Sequence, residues 1–524
     1  MNLVEKHFRE TEKLVRSVSA DKIADWLLKD GYYPEQYVFP PNFKTKNFKL
    51  NSQPYYKIKI KKEKSEFSPK LSPKEVLNIS YPKSELTDRI FGIYHPKYYH
   101  DLVFYIHKNW KQIVSHLFPK STKIFSYSFP VPIDENSIGS IGELRSGRMI
   151  YEYLELAEKD LLAESYKYKH LLRTDIKNFY PSIYTHSIAW VLHTKEKIRN
   201  DNENNLRLVG NILDRLIQFA NDRKTNGIPI GPAISDLIAE IILTAVDTKI
   251  SKLLRKEKFL AARYKDDYFF LIKSEAQAQD ILRNLQSVFK EFNLFINEEK
   301  TDKYPLPDGL LRPWMLEFNK LWNSIKPDET KKLPFKNFLL VTQEVLKIDS
   351  KHPSTGTIDK FVSKLTNRDH NYALHIDFAN IKNKDQAILR SLSLLIHLAK
   401  RCKKSFPSVL GVLESFISAP NNIISKRYKN ILVEELKIYN RELENSPDEH
   451  KQLWWIYFVL SISFLKNEID VKKFYSKNTQ YLMSFKKGKQ DFYSDYKDCS
   501  LFEDVTEKKE YPISKHLDVF NRDK

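Results

Sequence analysis

The sequence predicts an α+β protein, a core of strands and helices whose strands end in carboxylates, followed by an all-α, repeat-like C-terminal domain. Three observations carry this. Phe259 to Lys273 reads as apolar run, polar break and apolar run, which suits a tight hairpin with Asp266 and Asp267 at its tip and the break spanning Arg263 to Asp267. Leu171 to Ile183 holds another apolar strand that ends in Asp175, before the aromatic pair Phe179-Tyr180 and a Pro181-Ser182 break. Beyond about 355 the pattern turns helical over 385–400, 407–418, 427–440 and 449–466, with breaks at Pro420-Asn421 and Asn445-Ser446-Pro447. Short loops between amphipathic helices imply antiparallel pairs, as in a solenoid-like array.

Two adjacent acids beside apolar strands repel each other and resist desolvation, so a cation should balance them; Mg²⁺ is the natural candidate and Mn²⁺ the alternative. Asp-Asp is also ordinary turn chemistry. Asp175 supplies a third carboxylate. One strand-end acid beside two hairpin acids is the set needed to hold two Mg²⁺ roughly 4 Å apart for in-line phosphoryl transfer.

With 524 residues the chain can bury several cores. Its only cysteines, Cys402 and Cys499, have no metal-ligand spacing, which points to a reducing, cytoplasmic setting and away from zinc. The first ten residues mix acids with bases and lack a signal-peptide core. The longest near-continuous apolar run, Leu453 to Leu465, is too short to span a bilayer, so no membrane partner is expected. A formal net charge of +19 favours a polyanionic partner, nucleic acid foremost, although a lysine-rich composition also serves solubility. The 14 histidines form no metal-binding cluster.

Taken in order, residues 1–75 open on an amphipathic helix, then Gly31-Tyr32-Tyr33-Pro34, then Phe39-Pro40-Pro41-Asn42-Phe43 and a lysine-rich stretch, 57–64, that reads as a basic strand or a solvated charge run. Residues 80–170 contain Lys83, Arg89, a helix through Trp110, Arg145 and Arg148. Gly142 to Arg148 lacks the Gly-Lys-Ser/Thr ending of a phosphate loop, which excludes an ATPase of that type. The helix from about 205 to 221 is core packing. Gly227-Ile-Pro-Ile-Gly231 opens a long apolar helix, and Gly231 would let backbone approach a nucleotide or primer closely. After the hairpin, a helix over 275–292 leads to Leu294-Phe-Ile-Asn-Glu-Glu-Lys300-Thr301.

These segments resemble the reverse transcriptases in order. Asp175 with Phe179-Tyr180 is similar to their first palm motif, Gly227 to Asp236 to the second, Tyr264-Lys-Asp-Asp267 to the Tyr-x-Asp-Asp box, and 294–301 to the segment that closes the palm. The Gly-Tyr-Tyr-Pro and Phe-Pro-Pro-Asn-Phe pattern, with the helical C-terminal domain, resembles more narrowly the bacterial abortive-infection polymerases and related non-mobile reverse transcriptases. Many reverse transcriptases carry glutamine where Ile230 stands here.

The resemblance implies a right-hand fingers-palm core. Residues 1–75 would be an N-terminal extension, 76–170 fingers, 171–305 palm, 306–467 the helical domain and 468–524 a tail. It implies that Asp175, Asp266 and Asp267 bind metal, that Lys300 protonates the pyrophosphate leaving group, and that Tyr180 abuts C2′ of the incoming dNTP. Lys83, Arg89, Arg145 and Arg148 would meet its triphosphate. It further implies antiphage abortive infection through protein-primed, template-independent DNA synthesis, a DNA product attached to the protein, and a homo-oligomer. Tyr32 and Tyr33 are the candidate priming tyrosines, in an N-terminal loop folded over the cleft; the alternative reading is that this aromatic pair packs the fingers. An RNA-templated reverse transcriptase and an inactive helical scaffold are the alternatives.

Overall fold

The computed structural model describes residues 1–35, 37–60, 65–83, 87–130, 150–193, 206–325, 332–353, 355–474, 499–503 and 512–517, with 196, 198, 480, 481, 484 and 505. The first two helices, Leu3–Ser17 and Ala20–Lys29, begin where Asn2 and Ser19 accept the backbone N–H groups of Glu5 and Lys22, satisfying donors that a helix start leaves free. Their apolar faces do not form an appendage. Phe8 packs against Phe118, Phe125 and Phe129, and the second helix lies on the long helix Pro96–Leu117, so the N-terminal residues share one hydrophobic core with the central sheet.

Two antiparallel hairpins precede that sheet: β1 (Tyr56–Ile60) with β2 (Ser65–Pro69), and β3 (Leu77–Pro82) with β4 (Asp88–Ile93). The sheet has five strands in the order β5 (Ile124–Ser126), β7 (Leu260–Tyr264), β8 (Asp267–Ile272), β6 (His170–Asp175) and β9 (Asp302–Pro305). Only the β5–β7 pair is parallel. β7 is buried throughout, and β6 and β8 nearly so, which explains their near-continuous apolar runs. Helices Ala233–Leu253 and Glu275–Glu291 cover the sheet and supply Leu237, Ile241, Ile281 and Leu285 to the core.

A second core starts near Phe318 and holds the helices Pro313–Ile325, Phe335–Lys351, Lys384–Arg401, Phe406–Ser418, Lys426–Glu444 and Glu449–Leu460. Helix therefore begins well before residue 355, and two short two-stranded ladders, 333–334 with 376–377 and 366–367 with 373–374, are added to the expected helices.

The described residues of the tail expected over 468–524 pack onto the rest of the chain. Ser500 pairs with Lys46 through both backbone hydrogen bonds, Phe502 stands edge-on to Phe43 at 5.2 Å, and the Tyr33 hydroxyl donates to the Leu501 carbonyl. Farther on, the short helix Ile513–His516 docks on Phe406–Ser418, where the Ile513 N–H donates to Glu414 and Ser514 fills the space beside Gly411. Cys499, Leu501 and Phe502 belong to the first core and Ile513 to the second, so this one segment joins both. Phe502→Ala should cost about 3–5 kcal/mol and lower the urea midpoint of the full chain; an unchanged midpoint would mean the segment is undocked in solution.

Candidate active site

In the β6–β8 ladder Asp175 and Asp267 stand directly opposite each other, and Asp266 occupies the two-residue turn between β7 and β8. Like charges in that relation destabilise a sheet. Burial first, then the Asp266 charge, push the Asp267 carboxyl up to about 7; burial and then Asp175 raise Asp266 as well. The cationic charge that reaches the pair comes from Lys300, Lys265 and Arg173.

The turn is held from behind. Lys265 has φ +48°, in the left-handed region that a non-glycine residue enters at a cost. Its N–H donates to Ser128 Oγ at 2.8 Å and its carbonyl accepts from Arg263 Nη1 at 2.9 Å. Arg263 is fully buried. It forks onto Glu240 (2.9 and 3.0 Å) and reaches Asp247 Oδ2 through Nε at 2.8 Å, while Ser126 and Ser128 each donate a second bond to the Glu240 oxygens and the Tyr268 hydroxyl donates to Asp247 Oδ1. Planar guanidinium against carboxylate is the geometry in which buried charges are best compensated, and here it fixes the carbonyl of the strained residue. Arg263 was expected in the polar break; it lies inside β7, and the break is only Lys265-Asp266.

The floor comes from the other side of β6. Asn297 N–H donates to the Asp175 carbonyl, Ile296 bridges Ile176, and Thr174 and Thr301 hydroxyls meet at 2.8 Å. This places Lys300 over the cluster, with its ammonium paired to Asp175 Oδ2. Burial lowers the Lys300 pKa, but the Asp175 hydrogen bond and charge, with Asp267 and Asp266, outweigh it and raise the pKa overall.

Among the described residues no three acidic, histidine or cysteine side chains stand together, as placed, in a group that could hold a metal ion. The donor set nonetheless suits a hard divalent ion: all three groups are carboxylates, and Asp175 Oδ1 is buried without a hydrogen-bond partner. An open cavity of about 550 Å³, lined by Lys177, Asn178, Ser182, Asn297 and Glu298 among others, adjoins this edge of the sheet.

Tyr180 is buried beside Phe179, and its hydroxyl donates to Asp236 Oδ1 at 2.5 Å. Gly231, expected to make room for a nucleotide, has φ +123° and makes room within the protein: a Cβ there would stand 2.7 Å from Pro34 and 3.0 Å from Phe91. Its neighbour Ile230 accepts the Gly92 N–H.

Of the four expected fingers cations, the two described, Lys83 and Arg89, are not among the charges named for the Asp266 and Asp267 carboxyls. Lys83 is exposed at the β3–β4 bend; Arg89, on β4, has Lys404 of the helical region as a charged neighbour; Arg145 and Arg148 lie outside the described residues, as does the Gly142–Arg148 stretch. Tyr32 and Tyr33 need a correction. Their rings pack edge-on at 4.8 Å, and their hydroxyls are buried and donated to the carbonyls of Tyr94 and Leu501, because an aromatic pair beside Phe39, Phe43, Phe48 and Tyr99 is worth more as core than as a loop tip. As folded, neither presents a nucleophile.

Sequence reading missed Asp236, Glu240, Asp247 and the anchoring role of Arg263. The signal was present, since three acids spaced by four and seven in a largely apolar helix share a face, and acids on a buried face call for a cation.

Residues 110–332 match the family described as reverse transcriptase (RNA-dependent DNA polymerase), so the chain carries a reverse-transcriptase domain, a nucleotidyltransferase of the RNA-directed DNA polymerase type. Among solved structures, apo telomerase from Candida tropicalis is similar at 12% identity over 77% of this chain and 71% of that chain, with a TM-score of 0.33. Telomerase from Candida albicans in complex with a TWJ fragment of telomeric RNA is similar at 10% identity over 77% and 73%, with a TM-score of 0.27. No curated protein matches. No described helix is long and apolar enough to cross a membrane.

Proposed function

We propose that this domain is a Mg²⁺-dependent polymerase of deoxynucleotides, with Mn²⁺ as the alternative ion, in which Asp175, Asp266 and Asp267 hold the metal. The observation that carries the reading is the cross-strand pair Asp175 and Asp267 with Asp266 in the adjoining turn. When bound, the ions would neutralise charge on the transferring phosphoryl group and activate a hydroxyl nucleophile. The chain's own residues supply position and protons. Lys300 keeps an ammonium beside Asp175, where it can give a proton to departing pyrophosphate. The Arg263 network keeps the acidic turn from relaxing, and Tyr180 places its ring against the sugar of the incoming dNTP. In this reading 76–170 act as fingers and 171–305 as palm.

We extend the proposal to the abortive-infection polymerases: DNA synthesis primed on protein, without a template, by a homo-oligomer with an antiphage role. Support comes from both flanks of the palm, the Gly31 to Pro34 segment, whose Gly31 carbonyl accepts Ala233 N–H at the start of the long helix, and a helical C-terminal region with its own core. The priming hydroxyl would belong to a tyrosine other than Tyr32 or Tyr33.

The test supplies labelled dNTPs and Mg²⁺ to the full chain without nucleic acid, then denatures and digests with DNase. Label that survives denaturation and leaves with DNase supports self-priming, and Tyr32→Phe and Tyr33→Phe should keep it. Label that appears only with an RNA template and a free 3′ end would make the protein a templated reverse transcriptase instead.

A further inference from the structure

Asp236 sits in the first turn of Ala233–Leu253, just after the Gly231-Pro232 bend. Its Oδ1 accepts the Tyr180 hydroxyl at 2.5 Å, and its Oδ2 faces Lys265 Nζ at 3.5 Å. Lys265 also lies 3.8 Å from Glu35 of the N-terminal loop. One carboxylate therefore ties together the residue five beyond Asp175, the start of the long helix and the turn that carries Asp266. An apolar side chain would pack in this nearly buried position without the desolvation cost of a carboxylate, so stability alone does not account for the acid.

We propose that Asp236 is a positioning residue which, by fixing the tip of Tyr180, sets the preference for deoxyribonucleotides over ribonucleotides. A tyrosine ring swings about χ1 and spins about χ2, and a hydrogen bond to its hydroxyl, which lies on the χ2 axis, restrains the swing that would carry the ring away. Only a restrained ring can reject one extra hydroxyl; a ring free to lean away gives it room. Lys265 holds the carboxylate in turn, which couples the angle of the ring to the acidic turn. The inference rests on the reading of Tyr180 as the residue against the sugar.

The experiment compares kcat/KM for a ribonucleotide and its deoxyribonucleotide with purified full chain and Mg²⁺. Asp236→Ala should raise relative ribonucleotide use about tenfold, the worth of one lost hydrogen bond. Asp236→Asn keeps an acceptor for the hydroxyl and should stay within about threefold of the parent. Tyr180→Phe keeps the ring and loses the bond, so it should match Asp236→Ala, and the double variant should add nothing further. Should Asp236→Ala fail to fold, Tyr180→Phe decides alone, and a parental ratio in it overturns the proposal. Equal losses with both sugars in Asp236→Ala, while Tyr180→Ala shifts the ratio, would overturn the role of Asp236 and leave Tyr180 as the sugar contact. An unchanged ratio in Tyr180→Ala would overturn both.

Discussion

Asp266→Asn should abolish nucleotide incorporation, by roughly 10³-fold or more, in a protein that remains folded. The variant removes one charge from a cluster in which burial and Asp175 already raise the Asp266 pKa, so the ion-free fold loses repulsion rather than support. Its thermal midpoint should equal or exceed that of the parent. Mg²⁺ supplies a readout independent of turnover: it should raise the parental midpoint, as any ligand of the native state does, and raise that of the variant much less. A folded Asp266→Asn protein that incorporates dNTPs at the parental rate would end the metal assignment.

Arg263→Met should be the most damaging single change to stability outside the apolar core. It leaves Glu240 and Asp247 buried without their cation, a loss of about 3–5 kcal/mol, and it frees the Lys265 carbonyl. Denaturant midpoints measure the first effect. Converting Glu240 and Asp247 to Gln and Asn in the same chain should recover much of the stability, because no uncompensated charge is left. Incorporation should not return with it, since the turn remains unanchored. Full recovery of both would reduce the network to packing.

What the sequence made legible is what local pattern encodes. Two apolar runs around Lys265-Asp266 can hardly be other than a hairpin, and an apolar run ending at Asp175 beside it gives a second strand; the ladder then sets Asp175 opposite Asp267. The helix expected over 275–292 is found as Glu275–Glu291, with Ser274 capping its start. Contacts between distant segments were not legible. Nothing near Tyr33 announces that its hydroxyl will meet Leu501, nothing near Arg89 announces Lys404, and Tyr32 reads as a loop residue until Tyr99 and Phe48 close around it. Arg263 was misplaced for a related reason. A charge within an apolar run looks like a break unless its partners, 16 and 23 residues earlier on a helix, are taken together with it.

The pairing of Ser500 with Lys46 has a consequence for how the polypeptide is made. Domains generally fold as they leave the ribosome, at about 5–20 residues per second. Here the groove around Tyr33 and Phe43 waits for Leu501 and Phe502, Leu501 lying 468 residues beyond Tyr33, which is tens of seconds of translation. During that interval the nascent chain exposes aromatic surface that only its own late residues can cover. A message broken before those codons would yield a protein whose palm strands are all present and whose first core is still open.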